Sequence, residues 1–140
     1  MDRDVVVNAL LTENIHKPFE WGYFDCAKFT FMVADAISGS NLVERFDGKW
    51  DSKESCYKYI GEQDLSVISV LKELGTEEVE WGREITGDFY CMSSDLAHQK
   101  QWQSAGIVYR GRLIVMTRRE GLCLIPMKDA PRPEIVLRVR

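Results

Sequence analysis

Apolar and polar positions alternate with two different periods along this chain, and the change falls between Gly75 and Gly82. Before it, apolar residues recur every three or four positions, which gathers them on one side of a helix; after it they come in runs of about five, as strands do. Val5, Val6, Ala9 and Leu10 form the first stripe and predict a short helix, followed by a loop from Glu13 to Pro18. Phe29, Thr30, Val33, Ala36 and Ile37 predict a second helix that opens at Cys26 and stops at Gly39. Asp51-Ser52-Lys53-Glu54 has capping-box spacing and predicts a helix to Tyr59, closed by Gly61. Asp64 is the expected cap of another run, in which Leu65, Ile68, Val70, Leu71 and Leu74 make the apolar face before Gly75.

The strand-like runs are Phe89 to Met92, Gly106 to Tyr109, Leu113 to Thr117, Leu122 to Ile125 and Ile135 to Val139. Arg110-Gly111 supplies a tight turn between the second and third, and Arg118 to Gly121 another before the fourth, so an antiparallel meander is expected. The predicted fold class is α+β, with a helical N-terminal half packed on an antiparallel sheet of five or six strands.

Composition adds bounds. The 140 residues, 45% hydrophobic and 29% charged, fit a single domain spanning 1–140 and exclude a disordered chain. With 18 basic against 22 acidic residues the net charge is −4, which leaves no electrostatic footprint for a nucleic acid. The small basic clusters Arg110/Arg112/Lys128 and Arg138/Arg140 read as solvated strand edges. No apolar run approaches the roughly 18 residues that span a bilayer, and the start Met1-Asp2-Arg3-Asp4 is acidic where a signal peptide is basic; synthesis in the cytoplasm is expected. Cys26, Cys56, Cys91 and Cys123 contain no C-x-x-C pair and have only His16 and His98 to assist, so neither a metal, a cofactor nor a disulfide framework is expected. Four free thiols follow, with Cys56, Cys91 and Cys123 acting as small buried hydrophobes.

Candidate chemistry concentrates in Pro18-Phe19-Glu20-Trp21-Gly22-Tyr23-Phe24-Asp25-Cys26-Ala27-Lys28-Phe29. This places a cysteine in the first turn of the best-defined helix, with Asp25 as N-cap. Free N–H groups and the helix dipole favour thiolate there, so Cys26 is either an activated nucleophile or a small residue filling space at a helix start. Trp21-Gly22 allows a close backbone turn beside an aromatic wall.

The order of parts resembles the NlpC-type branch of the papain-like cysteine peptidases: W-G-x-x-D-C, then Gly87-Asp88 opening a strand, then a strand matching H-x-G-I-Y at Ser104 to Val108. It is most similar to a phage-encoded group marked by P-F-x-W-G-x-x-D-C-x-x-F and a late G-L-x-x-x-P, here Gly121-Leu122-Cys123-Leu124-Ile125-Pro126. The resemblance runs from about Val5 to Val139 and implies a papain-like NlpC-type core. It implies that Cys26 stands at the nucleophile position, Asp25 at the preceding acid, and Ser104 where peptidases of the family carry their general-base histidine. A serine hydroxyl is no base near neutral pH, so the dyad is incomplete unless His98, six residues earlier, replaces it.

The resemblance therefore implies a non-catalytic phage virion component of the tail tip or baseplate, whose partners are other tail-tip or baseplate proteins. The alternative is a cysteine-dependent cell-wall peptide hydrolase or acyl-transfer enzyme using Cys26. Trp50, Trp81 and Trp102, in or beside predicted loops, are expected either to contribute contacts with other proteins or to cap the core.

Overall fold

A computed structural model describes residues 1–92 and 104–140. Among them are helices α1 (Arg3–Asn14), α2 (Cys26–Ser38), α3 (Leu42–Phe46), α4 (Lys53–Glu62) and α5 (Val67–Lys72). Strands β1 (Glu77–Val79), β2 (Phe89–Met92), β3 (Ser104–Tyr109), β4 (Arg112–Thr117), β5 (Gly121–Pro126) and β6 (Ile135–Arg138) follow. The strands form one antiparallel sheet in the order β1-β6-β2-β3-β4-β5. The architecture is α+β, helices first and sheet second. The simple meander needs correction: β2 to β5 follow it, but β6 returns to pair with β2 and carries β1 at the outer edge. The return runs across the sheet face away from the helices, where the Tyr90 hydroxyl donates to the Pro131 carbonyl at 2.6 Å.

Side chains divide between two cores by the strand alternation. Phe89, Cys91, Ile107, Tyr109, Ile114, Leu122 and Leu137 face the helices and join the main core. Tyr90, Val108, Leu113 and Val136 fill a smaller core on the far face, packed by Met127 and Ala130 of the returning segment.

Helix α2 lies against α1, α3, β3 and β4, and its sequence reflects that enclosure. Ala27, Phe29, Thr30, Phe31, Val33, Ala34 and Ile37 are all buried, a wider surface than a single stripe, while Ala36 is exposed. Phe31 stacks on Phe46 of α3 at 4.9 Å. Gly39 ends the helix with φ +75, a conformation that disfavours a side chain.

Several local expectations change. Helix α1 has 12 residues and buries Val7, Leu11 and Asn14, whereas Val5 is 62% exposed. Its rotation is set by polar anchors: an Arg3 guanidinium N–H donates to the Val139 carbonyl at 2.6 Å, and the Tyr109 hydroxyl donates to Asn8 at 2.8 Å. The caps of α4 and α5 are the serine pairs Ser52/Ser55 and Ser66/Ser69, each bonding reciprocally to the other's backbone N–H. Gly61 lies inside α4, and Asp64 occupies the connecting turn with φ +52. Both α3 and β1 are too short to show a period in the sequence. Cys123 is only partly buried, unlike Cys56 and Cys91, because on edge strand β5 it alternates away from the helix-facing Leu122 and Leu124 and joins neither core.

Arg138, read as a solvated edge residue, instead closes the sheet. Asp88 is fully buried behind the left-handed Gly87 (φ +94) and accepts from the Ile85 N–H at 2.9 Å. The Arg138 guanidinium grips both its oxygens, at 2.9 and 2.8 Å. Removing one partner strands a buried charge. Arg138→Leu is expected to lower the unfolding free energy by about 3 kcal/mol, and Arg112→Leu, at the exposed start of β4, by no more than about 0.5 kcal/mol; urea unfolding followed by tryptophan fluorescence measures both.

Candidate functional site

The segment preceding α2 folds back on itself. The N–H groups of Glu20 and Phe24 each donate to the other's carbonyl, at 2.9 and 2.8 Å, around a turn in which Gly22 has φ +82. A Cβ at Gly22 would overlap the Trp50 carbonyl, so both the conformation and the space demand glycine. The turn delivers Asp25 to the N-cap of α2 with its side chain 1% exposed.

A buried carboxylate is tolerated only when donors surround it, and Asp25 has three. One oxygen accepts the Lys28 N–H at 2.8 Å, capping α2. The other accepts the Gly22 N–H at 2.9 Å and the Trp50 indole N–H at 2.8 Å. Of the two roles open to it, partner contact and core cap, Trp50 takes the core one, 7% exposed and packed on Phe46 and Tyr59. Its D-G-K-W surroundings carry no signal that the indole caps a distant carboxylate.

Cys26 is the first residue of α2, partly exposed, and packs against the main core. Cys56 of α4 lies close by: burial pushes its thiol up to about 12, with the neighbouring Asp25 and Cys26 adding to the rise. Burial, Cys56 and Cys26 also raise the Tyr57 phenol, against the opposing pull of Arg118. Trp21 meets Tyr57 and Phe19 edge-on, and the Arg118 guanidinium sits 5.6 Å above the Trp21 ring. Tyr57 and Arg118 are thus neighbours of the motif that its own spacing does not reveal. A cleft of about 290 Å³ flanks the Gly22 turn, but Tyr23, Asp47, Lys49, Asp51 and Ser55 line it and Cys26 does not.

Opposite the helices, β3 begins at Ser104, which pairs with Met92 of the far-face core. The next residue, Ala105, pairs with Cys91 and packs against the main core that Cys26 also meets. The helix-facing position at this end of β3 is thus an alanine, and neither residue titrates near neutral pH. His16 is exposed on the turn after α1. His98 and Trp102 lie outside the described residues.

Residues 2–133 match the family described as a domain of unknown function, DUF6950. The chain belongs to that family. No curated protein matches it. Among the described residues, no group of three or more His, Cys, Asp or Glu is placed to hold a metal ion, and no helix is long and apolar enough to cross a membrane.

Asp25→Ala leaves three donors without their acceptor and should cost about 3 kcal/mol. Asp25→Asn should recover only part of that loss, because whichever way the amide turns its N–H₂ faces at least one N–H donor, whereas Trp50→Phe should cost only about 1 kcal/mol; chemical denaturation orders the three. Cys91 resembles Cys56, its thiol pushed up to about 12 by burial and, less, by Glu134. At pH 8 the native protein should therefore be alkylated at Cys26 and Cys123 and spared at Cys56 and Cys91, while the denatured chain should yield four thiols in peptide mass mapping. Both buried thiols hold their protons more tightly folded than unfolded. Their stabilisation is complete below the ordinary thiol value and is lost as pH rises from about 9 to 12, by at most about 1.4 kcal/mol per pH unit for each.

Proposed function

We propose that this chain is a non-catalytic member of the NlpC-type papain-like fold, serving as a phage virion component of the tail tip or baseplate through contacts with other tail proteins. The observation that supports the non-catalytic reading is the residue content of the strand start that the resemblance aligns with the family's histidine. Cys26 opens α2, and β3, which packs against α2, begins Ser104-Ala105, neither of which is a general base. The acid before the cysteine supports the same reading, since all three donors it accepts from are structural: a turn, a helix cap and a buried indole. The virion assignment rests on the resemblance of the Pro18 to Phe29 and Gly121 to Pro126 motifs to the phage-encoded group. Contact surface is available at Trp81 and Ile85, 56% and 46% exposed, with the Arg132 guanidinium 4.9 Å above the Trp81 ring.

One observation favours the second reading, a cysteine-dependent cell-wall hydrolase. The Cys26 side chain is partly exposed at a helix N-terminus, where a thiolate is favoured. Hydrolysis would also require a proton donor for the leaving amine, help worth about 100-fold to 10,000-fold, and His98 is the candidate.

Mass spectrometry of purified particles of a phage encoding this chain should find it as a stoichiometric component; its absence would remove the virion assignment. Incubated with purified peptidoglycan, wild type, Cys26→Ser and His98→Ala should all release no soluble peptides. Cleavage by wild type that both substitutions abolish would establish the hydrolase instead.

A further inference from the structure

The two edges of the sheet are built differently. β1 has three residues, two of them glutamates, and Glu77 is paired with Arg140 at 2.8 Å, so charge and shortness protect that edge. β5 has six residues, Gly121-Leu122-Cys123-Leu124-Ile125-Pro126, and no charge among them. Cys123, Leu124 and Ile125 are all partly exposed.

The direction of the β5 backbone groups follows from the hairpins. Gly87 and Val108 exchange bonds with the β2 side, the Gly87 N–H reaching the Val108 carbonyl and the Val108 N–H the Asp88 carbonyl, so Tyr109 turns its backbone groups to β4. Arg110 and Gly111, with φ +49 and +78, form a two-residue turn closed by the pair Tyr109 and Arg112. Alternation then aims Leu113, Val115 and Thr117 at their β5 partners Ile125, Cys123 and Gly121. Leu122 and Leu124 consequently turn their N–H and C=O groups outward, and among the described residues neither meets a backbone partner there. The Lys17 carbonyl lies against Gly121, so the open edge begins at Leu122.

We propose that this edge is a self-association site, at which a second copy of the chain adds its own β5 antiparallel about a two-fold axis at Cys123. That register sets Leu122 opposite Leu124 of the second copy and the reverse, so every outward N–H and C=O of both leucines is satisfied. A register centred on Leu124 would set Leu122 against Pro126, which has no N–H, and would orphan the Leu122 carbonyl. Charge agrees with the Cys123 register, because Glu120 at one end of β5 comes beside Pro126 and the following Lys128 of the other copy. The arrangement is isologous and closed, joining two sheets into one and hiding both open edges.

The two Cys123 residues meet as a non-hydrogen-bonded pair, whose α-carbons are about 4.5 Å apart, within the range a disulfide bridges. Sedimentation of the reduced full chain should show a concentration-dependent monomer–dimer equilibrium. Copper–phenanthroline oxidation should trap a covalent dimer whose tryptic map contains a Cys123–Cys123 peptide. Cys123→Ser should lose the covalent product and keep the reversible dimer. Cys123→Glu, which sets two carboxylates face to face, should raise the dissociation constant about tenfold or more. A chain that sediments as a monomer up to about 1 mM, or a dimer whose oxidised product links Cys26 and not Cys123, would overturn the proposal. If the glutamate variant fails to fold, the serine variant and the map still decide it.

Discussion

The carboxylate of Asp25 is the constraint on which this end of the molecule depends. A charge with 1% exposure is stable only if its donors are held in place, and those donors come from three separate pieces of chain. The Lys28 N–H belongs to the first turn of α2, the Gly22 N–H to the preceding turn, and the Trp50 indole to the loop between α3 and α4. Each piece is fixed by its bond to Asp25 and in turn fixes the others. Gly22 shows how tight the arrangement is: its backbone passes so close to the Trp50 carbonyl that a methyl group has no room. Cys26 owes its position at the head of α2 to this junction.

The sheet is closed by a second buried carboxylate using the same logic. Asp88 follows a left-handed glycine, accepts from a nearby backbone N–H, and is neutralised by Arg138 on the neighbouring strand. Between the two junctions, α2 is packed on nearly all sides, which accounts for a sequence with aromatic and small residues around most of its circumference. The fold is thus an apolar two-layer sandwich pinned at two polar points, and the pins leave their carboxylates engaged in structure.

That engagement bears on function. In a cysteine hydrolase, polar groups near the thiol are arranged to move protons or orient an imidazole. Here the acid beside Cys26 is held by three fixed donors, the neighbouring thiol of Cys56 is pushed towards the neutral form, and the helix-facing residue at the start of β3 is alanine. Membership of a family of unknown function neither supplies nor removes an activity, so the reading rests on these residues.

Much of the architecture was legible from local chemistry. The change of period near Gly75, the helix opening at Cys26 and stopping at Gly39, the five strands from β2 to β6 and the Arg110-Gly111 turn are all set by residues adjacent in the chain, so spacing alone reports them. Asp25 as the N-cap was legible for the same reason, because a cap is bonded within three residues. What tertiary structure decided is everything settled by residues far apart. The rotation of α1 depends on bonds from Arg3 to Val139 and from Tyr109 to Asn8. The return of β6 to β2 depends on a pairing across more than forty positions. The conversion of Trp50 from a loop aromatic into a core donor, and of Arg138 from an edge cation into the half-buried partner of a buried acid, each required a carboxylate that the chain places 25 and 50 residues away. Sequence spacing carries no record of such pairs, because their energy exists only once the layers have packed and water has been excluded from around the charge.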